Sequence, residues 1–300
     1  MAGTGGPWYP AEWPERVRAL ARGELVPVEP RRAATVMLVR DGAEGALEVF
    51  LLRRRASMAF AAGAYAYPGG AVDPRDGDGD GDGDGDGESG DGGNGVLLAA
   101  VRETFEEAGV LLAGPAPGEL VDDVTGPGWE ADRVALVERE TALADVLARR
   151  GLVARGDLLR PWARWITPEF EARRYDTWFY LAALPEGQTT RNASTEADHV
   201  EWLTPRRAVE AYERGALLML PPTVATLREL AEFRTVAQAL EAARERDLAP
   251  VMARARLVGD EVVLSWPGYD AFERRAAAPV ADGAGVTDTR RANSQEEAER

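Results

Sequence analysis

A chain of 300 residues with 45% hydrophobic and 29% charged content can bury a substantial core, and its net charge of −16 argues against a nucleic-acid surface. All 35 basic residues are arginine, cysteine is absent and histidine occurs once, as His199. These absences exclude a Schiff-base or P-loop lysine, a thiolate nucleophile, a Cys-rich metal centre and a two-histidine metal site within one chain, and they leave carboxylate chemistry.

Residues 1–30 read as a proline-rich extended segment with a short helix near 15–22. No basic stretch runs into an apolar core there, and no apolar run approaches the ~20 residues that cross a bilayer, so a cytoplasmic location and no membrane partner are expected. The carboxyl end, Ala298-Glu299-Arg300, lacks a Ser-Lys-Leu type of address. Runs 34–40 and 47–53 are β-branched and apolar about a Gly-containing break, the pattern of a hairpin. Arg53-Arg54-Arg55 and a small-residue stretch, 59–66, then lead to Tyr67-Pro68-Gly69-Gly70, read as a tight turn.

The stretch 76–95 is dominated by alternating Asp and Gly, which cannot bury apolar surface, and is expected to be disordered. A Ca²⁺ repeat is the alternative, but the apolar position such repeats need for stacking is missing. Helical periodicity follows over 96–108, with Leu97, Leu98, Val101 and Phe105 on the core side and Gly109 ending it. Residues 129–151 form a helical insertion. Runs 158–166, 175–184 and 199–203 read as strands, the middle one so continuously apolar that it belongs at the centre of a sheet. Helices are expected over 205–214, 222–233 and 235–246, a last strand over 262–266 and a frayed tail over 273–300. The four tryptophans 162, 165, 178 and 202 read as core, because their neighbours alternate as strands do.

Chemistry concentrates in one segment. If 96–108 is helical, Glu103, Glu106 and Glu107 fall at i, i+3 and i+4 and share a face, with Arg102 one turn before Glu106. Three carboxylates so placed repel one another until a hard divalent cation neutralises them, and Mg²⁺ in particular is held by a few carboxylates, waters and substrate phosphates.

Together with Gly70, the run Arg102-Glu103-Thr104-Phe105-Glu106-Glu107-Ala108-Gly109-Val110 resembles the Nudix box. Thr104 stands at an apolar position of that pattern, Asp76 replaces its first Glu, and the usual spacer has grown into 77–101. Insertions at this place and the pieces Trp165-Ile166-Thr167-Pro168, Arg174-Tyr175-Asp176-Thr177 and Glu201-Trp202-Leu203-Thr204-Pro205 resemble the peroxisomal coenzyme A diphosphatase subgroup.

The resemblance implies an α/β/α sandwich around a mixed β-sheet over 31–272, with a helical insertion and a helical C-terminal extension. It further implies a Mg²⁺- or Mn²⁺-dependent diphosphatase acting on a nucleoside diphosphate linked to another moiety, coenzyme A or acyl-coenzyme A first, with NADH and nucleotide sugars as alternatives. A non-catalytic nucleotide sensor is the other class. By the same resemblance Glu106 and Glu107 are metal ligands, joined by the Gly69 carbonyl. Glu103 is a further ligand or the general base, and Arg102 orients Glu103 or Glu106. Arg53, Arg174 and Glu196 are candidates for contact with substrate.

Overall fold

The computed structural model describes residues 9–43, 45–57, 61–77, 93–266 and 269–272; most of the Asp-Gly stretch and the tail expected over 273–300 lie outside the described residues. In chain order the elements are α1 (Trp13–Ala21), β1 (Arg31–Asp41), β2 (Leu47–Arg54), β3 (Ala64–Ala66), β4 (Gly69–Ala71), α2 (Asn94–Ala108) and β5 (Ala113–Gly114). Next come α3 (Pro127–Val137), α4 (Leu143–Arg150), β6 (Val153–Ala154), β7 (Arg160–Ile166), β8 (Tyr175–Ala183), β9 (Ala197–Leu203) and α5 (Pro205–Glu213). The chain continues through β10 (Leu218–Met219), α6 (Pro221–Leu230), α7 (Val236–Ala242), β11 (Val251–Met252), β12 (Arg254–Val258), β13 (Glu261–Trp266) and β14 (Tyr269–Phe272).

Strands assemble into a mixed sheet in the order β10-β3-β2-β1-β8-β7-β11, with β4 added to β1 and β9 to β2. The long pairing is parallel, β1 with β8 from Arg31↔Tyr175 to Val39↔Ala183, and β7 joins β8 antiparallel. Because side chains alternate along a strand, β1 sends Met37 and Val39 into one core and Val36 and Leu38 into the other. Helices α1, α5, α6 and α7 cover the first face and α2, α3 and α4 the second, giving the expected α/β/α sandwich. Each fully buried Leu, Val or Phe here contributes about 1.5–3 kcal/mol, and that double cover explains the continuous apolar reading of β8. Trp162, Trp165 and Trp178 are buried. Trp202 is half-buried and stacked under Arg40.

The C-terminal region departs from expectation. Instead of one last strand, β12, β13 and β14 form a separate antiparallel sheet, its Trp266 packed edge-on to Trp165. Asp76, placed by the sequence reading in the disordered stretch, is ordered and 2% exposed in a 3-10 turn, Pro74–Asp76, capped by Asp73. Where the described chain breaks off after Gly77 it is already beside its resumption: a Cβ on Gly77 would lie 3.9 Å from Asn94 Nδ2. Among the described residues no helix is long and apolar enough to cross a membrane.

Candidate active site

Helix α2 is the platform. Val96, Ala99, Ala100, Val101, Phe105 and Ala108 are fully buried on its inner face, while Leu97 and Leu98, expected in the core, are half-buried against it. Thr104 occupies an apolar position at no polar cost, because its hydroxyl donates to the Ala100 carbonyl at 2.7 Å. Gly109 ends the helix in the left-handed region, φ +67°, and a Cβ there would press on Arg191. The last carbonyls are satisfied from outside: Arg133 Nη1 donates to Glu106 O at 2.9 Å and Arg191 N to Ala108 O at 3.0 Å.

The outer edge of α2 presents Arg102, Glu103, Glu106 and Glu107 to a cavity of about 390 Å³. Its other walls are β4, the Pro74–Asp76 turn, the loop between α3 and α4 through Arg139 and Thr141, residues 194–196, and the paired strand starts Arg31 and Tyr175. Arg102 is the hub. Its Nε and Nη2 grip both oxygens of buried Asp76 at 2.9 Å, and Nη1 donates to Glu103 Oε1 at 2.8 Å and Glu106 Oε1 at 3.2 Å. Glu107 accepts the Gly69 N–H at 2.9 Å.

Gly69 and Gly70 form a short strand on β1 rather than the tight turn read from the sequence. Neither has a positive φ. They are glycines because nothing larger fits: a Cβ on Gly69 would come within 2.5 Å of the Ala34 carbonyl, and one on Gly70 would fall on the Glu103 carboxylate.

Burial sets the electrostatics. It pushes Glu103 up to about 7, partly offset by Arg102, and raises Glu106 against the same guanidinium. Glu107 is raised well above an ordinary carboxyl, first by burial and then by repulsion from Glu103. Burial opposes the charge of Arg102, but Asp76, Glu103 and Glu106 outweigh it. Three carboxylates thus share one guanidinium, with Glu107 beside them on a backbone N–H.

Among the described residues no three His, Cys, Asp or Glu side chains converge as a ready-made metal cage. The donor set still fits a hard divalent cation. It offers oxygen donors on successive turns, burial that penalises their charge, and only a neutral N–H hydrogen-bonded to Glu107.

Of the substrate candidates, Glu196 lines the cavity, 3.7 Å from Arg54. Arg53 and Arg174 do not line it. A bulge in the β2–β9 pairing between Arg53 and Arg54 leaves Arg53 bonded to Asp198 at 2.7 Å, whereas the charge of Arg54 is felt at Glu107. Arg174 is 9% exposed and spends its guanidinium on the carbonyls of Thr167 and Val28, at 3.0 and 2.8 Å. It is a strut between loops. Sequence reasoning passed over Asp76 as the partner of Arg102, although the box pattern had marked its position, and missed Arg31, Tyr175 and Arg139, which carry no local signal.

The family model described as the NUDT19 Nudix domain matches residues 90–230, from just before α2 to the end of α6. The crystal structure of a NUDIX hydrolase from Alicyclobacillus acidocaldarius is 28% identical and superposes with a TM-score of 0.62, covering 74% of this chain and 99% of that one. The chain resembles Nudix hydrolases in sequence across the box and in fold over about three quarters of its length. Two curated Nudix relatives are named acyl-coenzyme A diphosphatase NUDT19. The protein from Gallus gallus is 32% identical over 160 residues, 46% of this chain and 41% of its own length. The human one is 30% identical over 148 residues, 46% and 40% respectively. The match therefore spans about two fifths of those relatives. In Nudix terms, Asp76 has taken the place of the first Glu of the box and still reaches Arg102 across the enlarged spacer.

Proposed function

We propose that this protein is a divalent-metal-dependent diphosphatase that cleaves the diphosphate bond of a nucleoside diphosphate linked to another moiety, with coenzyme A or acyl-coenzyme A as the substrate. The observation that carries the reading is the surplus of buried carboxylate over guanidinium at one cavity wall. The names of the two curated relatives support the choice of substrate.

Glu106 and Glu107 would hold Mg²⁺ or Mn²⁺ beside β4. When bound, such an ion neutralises the oxygens of a diphosphate and lowers the pKa of water. Arg102 fixes one oxygen of Glu103, which lines the cavity and would take a proton from an attacking water. Water forms the new bond to phosphorus, the bridging P–O bond breaks with its electron pair on the leaving phosphate, and the proton goes to Glu103. Asp76 keeps Arg102 from collapsing onto all three glutamates, since two of its donors are already committed.

The test is a panel of coenzyme A, acyl-coenzyme A, NADH, ADP-ribose and a nucleotide sugar, each incubated with Mg²⁺ or Mn²⁺ and its products identified by mass. Coenzyme A should split into adenosine 3′,5′-bisphosphate and phosphopantetheine. Hydrolysis of none of them by the metal-loaded protein would remove the reading.

A further inference from the structure

The helical insertion closes one side of the cavity, and one residue of its inner loop is held in a costly conformation. Arg139, between α3 and α4, has φ +59°, the left-handed region that a side chain with a Cβ rarely adopts. Three hydrogen bonds impose it. Arg139 N donates to Leu136 O at 2.9 Å, Glu140 N to Ala135 O at 2.8 Å, and Arg75 Nη1 to the Arg139 carbonyl at 2.6 Å. Glycine would relieve the strain at this exposed position, so what arginine adds there is its side chain.

Arg139 lines the same cavity as the box glutamates, and its charge is felt by Glu106. The neighbouring guanidiniums are occupied: Arg75 by both oxygens of Asp73, and Arg102 by Asp76, Glu103 and Glu106. Arg139 forms no ion pair among the described residues, although the chain carries 51 carboxylates. A cation presented at the mouth of an acidic cavity and left uncommitted suits an anion that arrives from solution.

We propose that Arg139 is a substrate-binding residue that grips a non-bridging phosphoryl oxygen of a nucleoside diphosphate, which makes the α3–α4 insertion part of the substrate site. This rests on the diphosphatase reading and adds a residue that the box does not contain.

Arg139→Gly tests it, because glycine keeps the left-handed backbone and removes only the side chain. ADP affinity is read by calorimetry with Mg²⁺ present, alongside kcat/KM for coenzyme A hydrolysis and Tm. The expected result is a loss of about tenfold or more in both affinity and kcat/KM, the usual size for one charge-assisted hydrogen bond, with no fall in Tm. Arg139→Lys should recover part of the loss, since it keeps the charge without the planar fork. Arg214→Gln, an equal change of net charge on an exposed turn after α5, should alter neither reading. Wild-type values for Arg139→Gly in both assays, with hydrolysis intact, overturn this inference and leave the diphosphatase reading standing. Arg139-dependent ADP binding without turnover of any diphosphate does the reverse. Wild-type protein that neither binds ADP nor hydrolyses a diphosphate overturns both.

Discussion

Arg102 and Glu130 stand at the centres of two charge clusters built in opposite proportions. Around Arg102, Asp76, Glu103 and Glu106 compete for one guanidinium, with Glu107 close behind. At Glu130, one carboxylate receives two guanidiniums, from Arg133 at 2.6 Å and Arg191 at 2.5 Å. The titration follows the count. Hydrogen bonds from Arg133 and then Arg191 hold Glu130 well below the usual carboxylate range, while burial without enough counter-charge lifts Glu103, Glu106 and Glu107 above it. The saturated cluster ties the insertion to the end of α2, because Arg133 also donates to the carbonyls of Glu106 and Ala193. The unsaturated one is where the proposed cation would bind. Identical side-chain types thus make a strut in one place and a candidate site in the other.

The most severe way to break the contrast is Glu107→Gln. Turnover should fall roughly a thousandfold, equivalent to about 4 kcal/mol of activation free energy. Steady-state kinetics would read this, and near-wild-type turnover would remove Glu107 from the metal site. On the structural side, Arg133→Met should cost roughly 2 kcal/mol in denaturant unfolding, because the half-buried Glu106 and Ala193 carbonyls lose a donor and Glu130 keeps only Arg191. An unchanged midpoint would mean the strut is ornamental.

Metal sharpens the distinction further. Mn²⁺ or Mg²⁺ at a hundred times its dissociation constant should stabilise the wild type by about 2.7 kcal/mol and leave a Glu106→Gln/Glu107→Gln variant unmoved, while Arg133→Met keeps the response. A thermal shift titration decides it, and equal shifts in all three proteins would place the ion elsewhere.

The smallest effect concerns Glu171, raised by burial to about 7 despite Arg16 nearby and a hydrogen bond with Trp13. A carboxyl whose folded value lies above its unfolded value contributes stability below about 4.5 and loses it as pH rises through 7. Glu171→Gln should therefore raise Tm by roughly 2 °C at pH 8 and leave it unchanged at pH 4. A uniform shift across that range would contradict the assignment.

Much of this was legible in the chain itself. Spacing at i, i+3 and i+4 put the three glutamates on one face, and Gly109 marked the end of their helix. The hairpin and the double-sided core followed from apolar runs whose neighbours are equally apolar. What escaped depends on contacts distant in sequence. Arg53 and Arg54 are adjacent and chemically identical, and only a bulge against β9 decides which one influences Glu107. Arg174 was consumed by carbonyls at positions 28 and 167, and no local pattern reports a carbonyl in need of a donor. Gly69 and Gly70 were noticed for the wrong reason, since crowding by Ala34 and Glu103 demands them and not the curvature of a turn.

Asp76 is bolted to Arg102, and a Cβ on Gly77 would lie within van der Waals reach of the Asn94 side chain, so the two described ends that flank the enlarged spacer are fixed side by side. Loop closure costs only about 0.6 kcal/mol for each doubling of length, so sequence of almost any size can be threaded between the two halves of the signature without disturbing the carboxylates beyond. The paired ends are a natural insertion point for an engineered reporter, one side chain away from the candidate site.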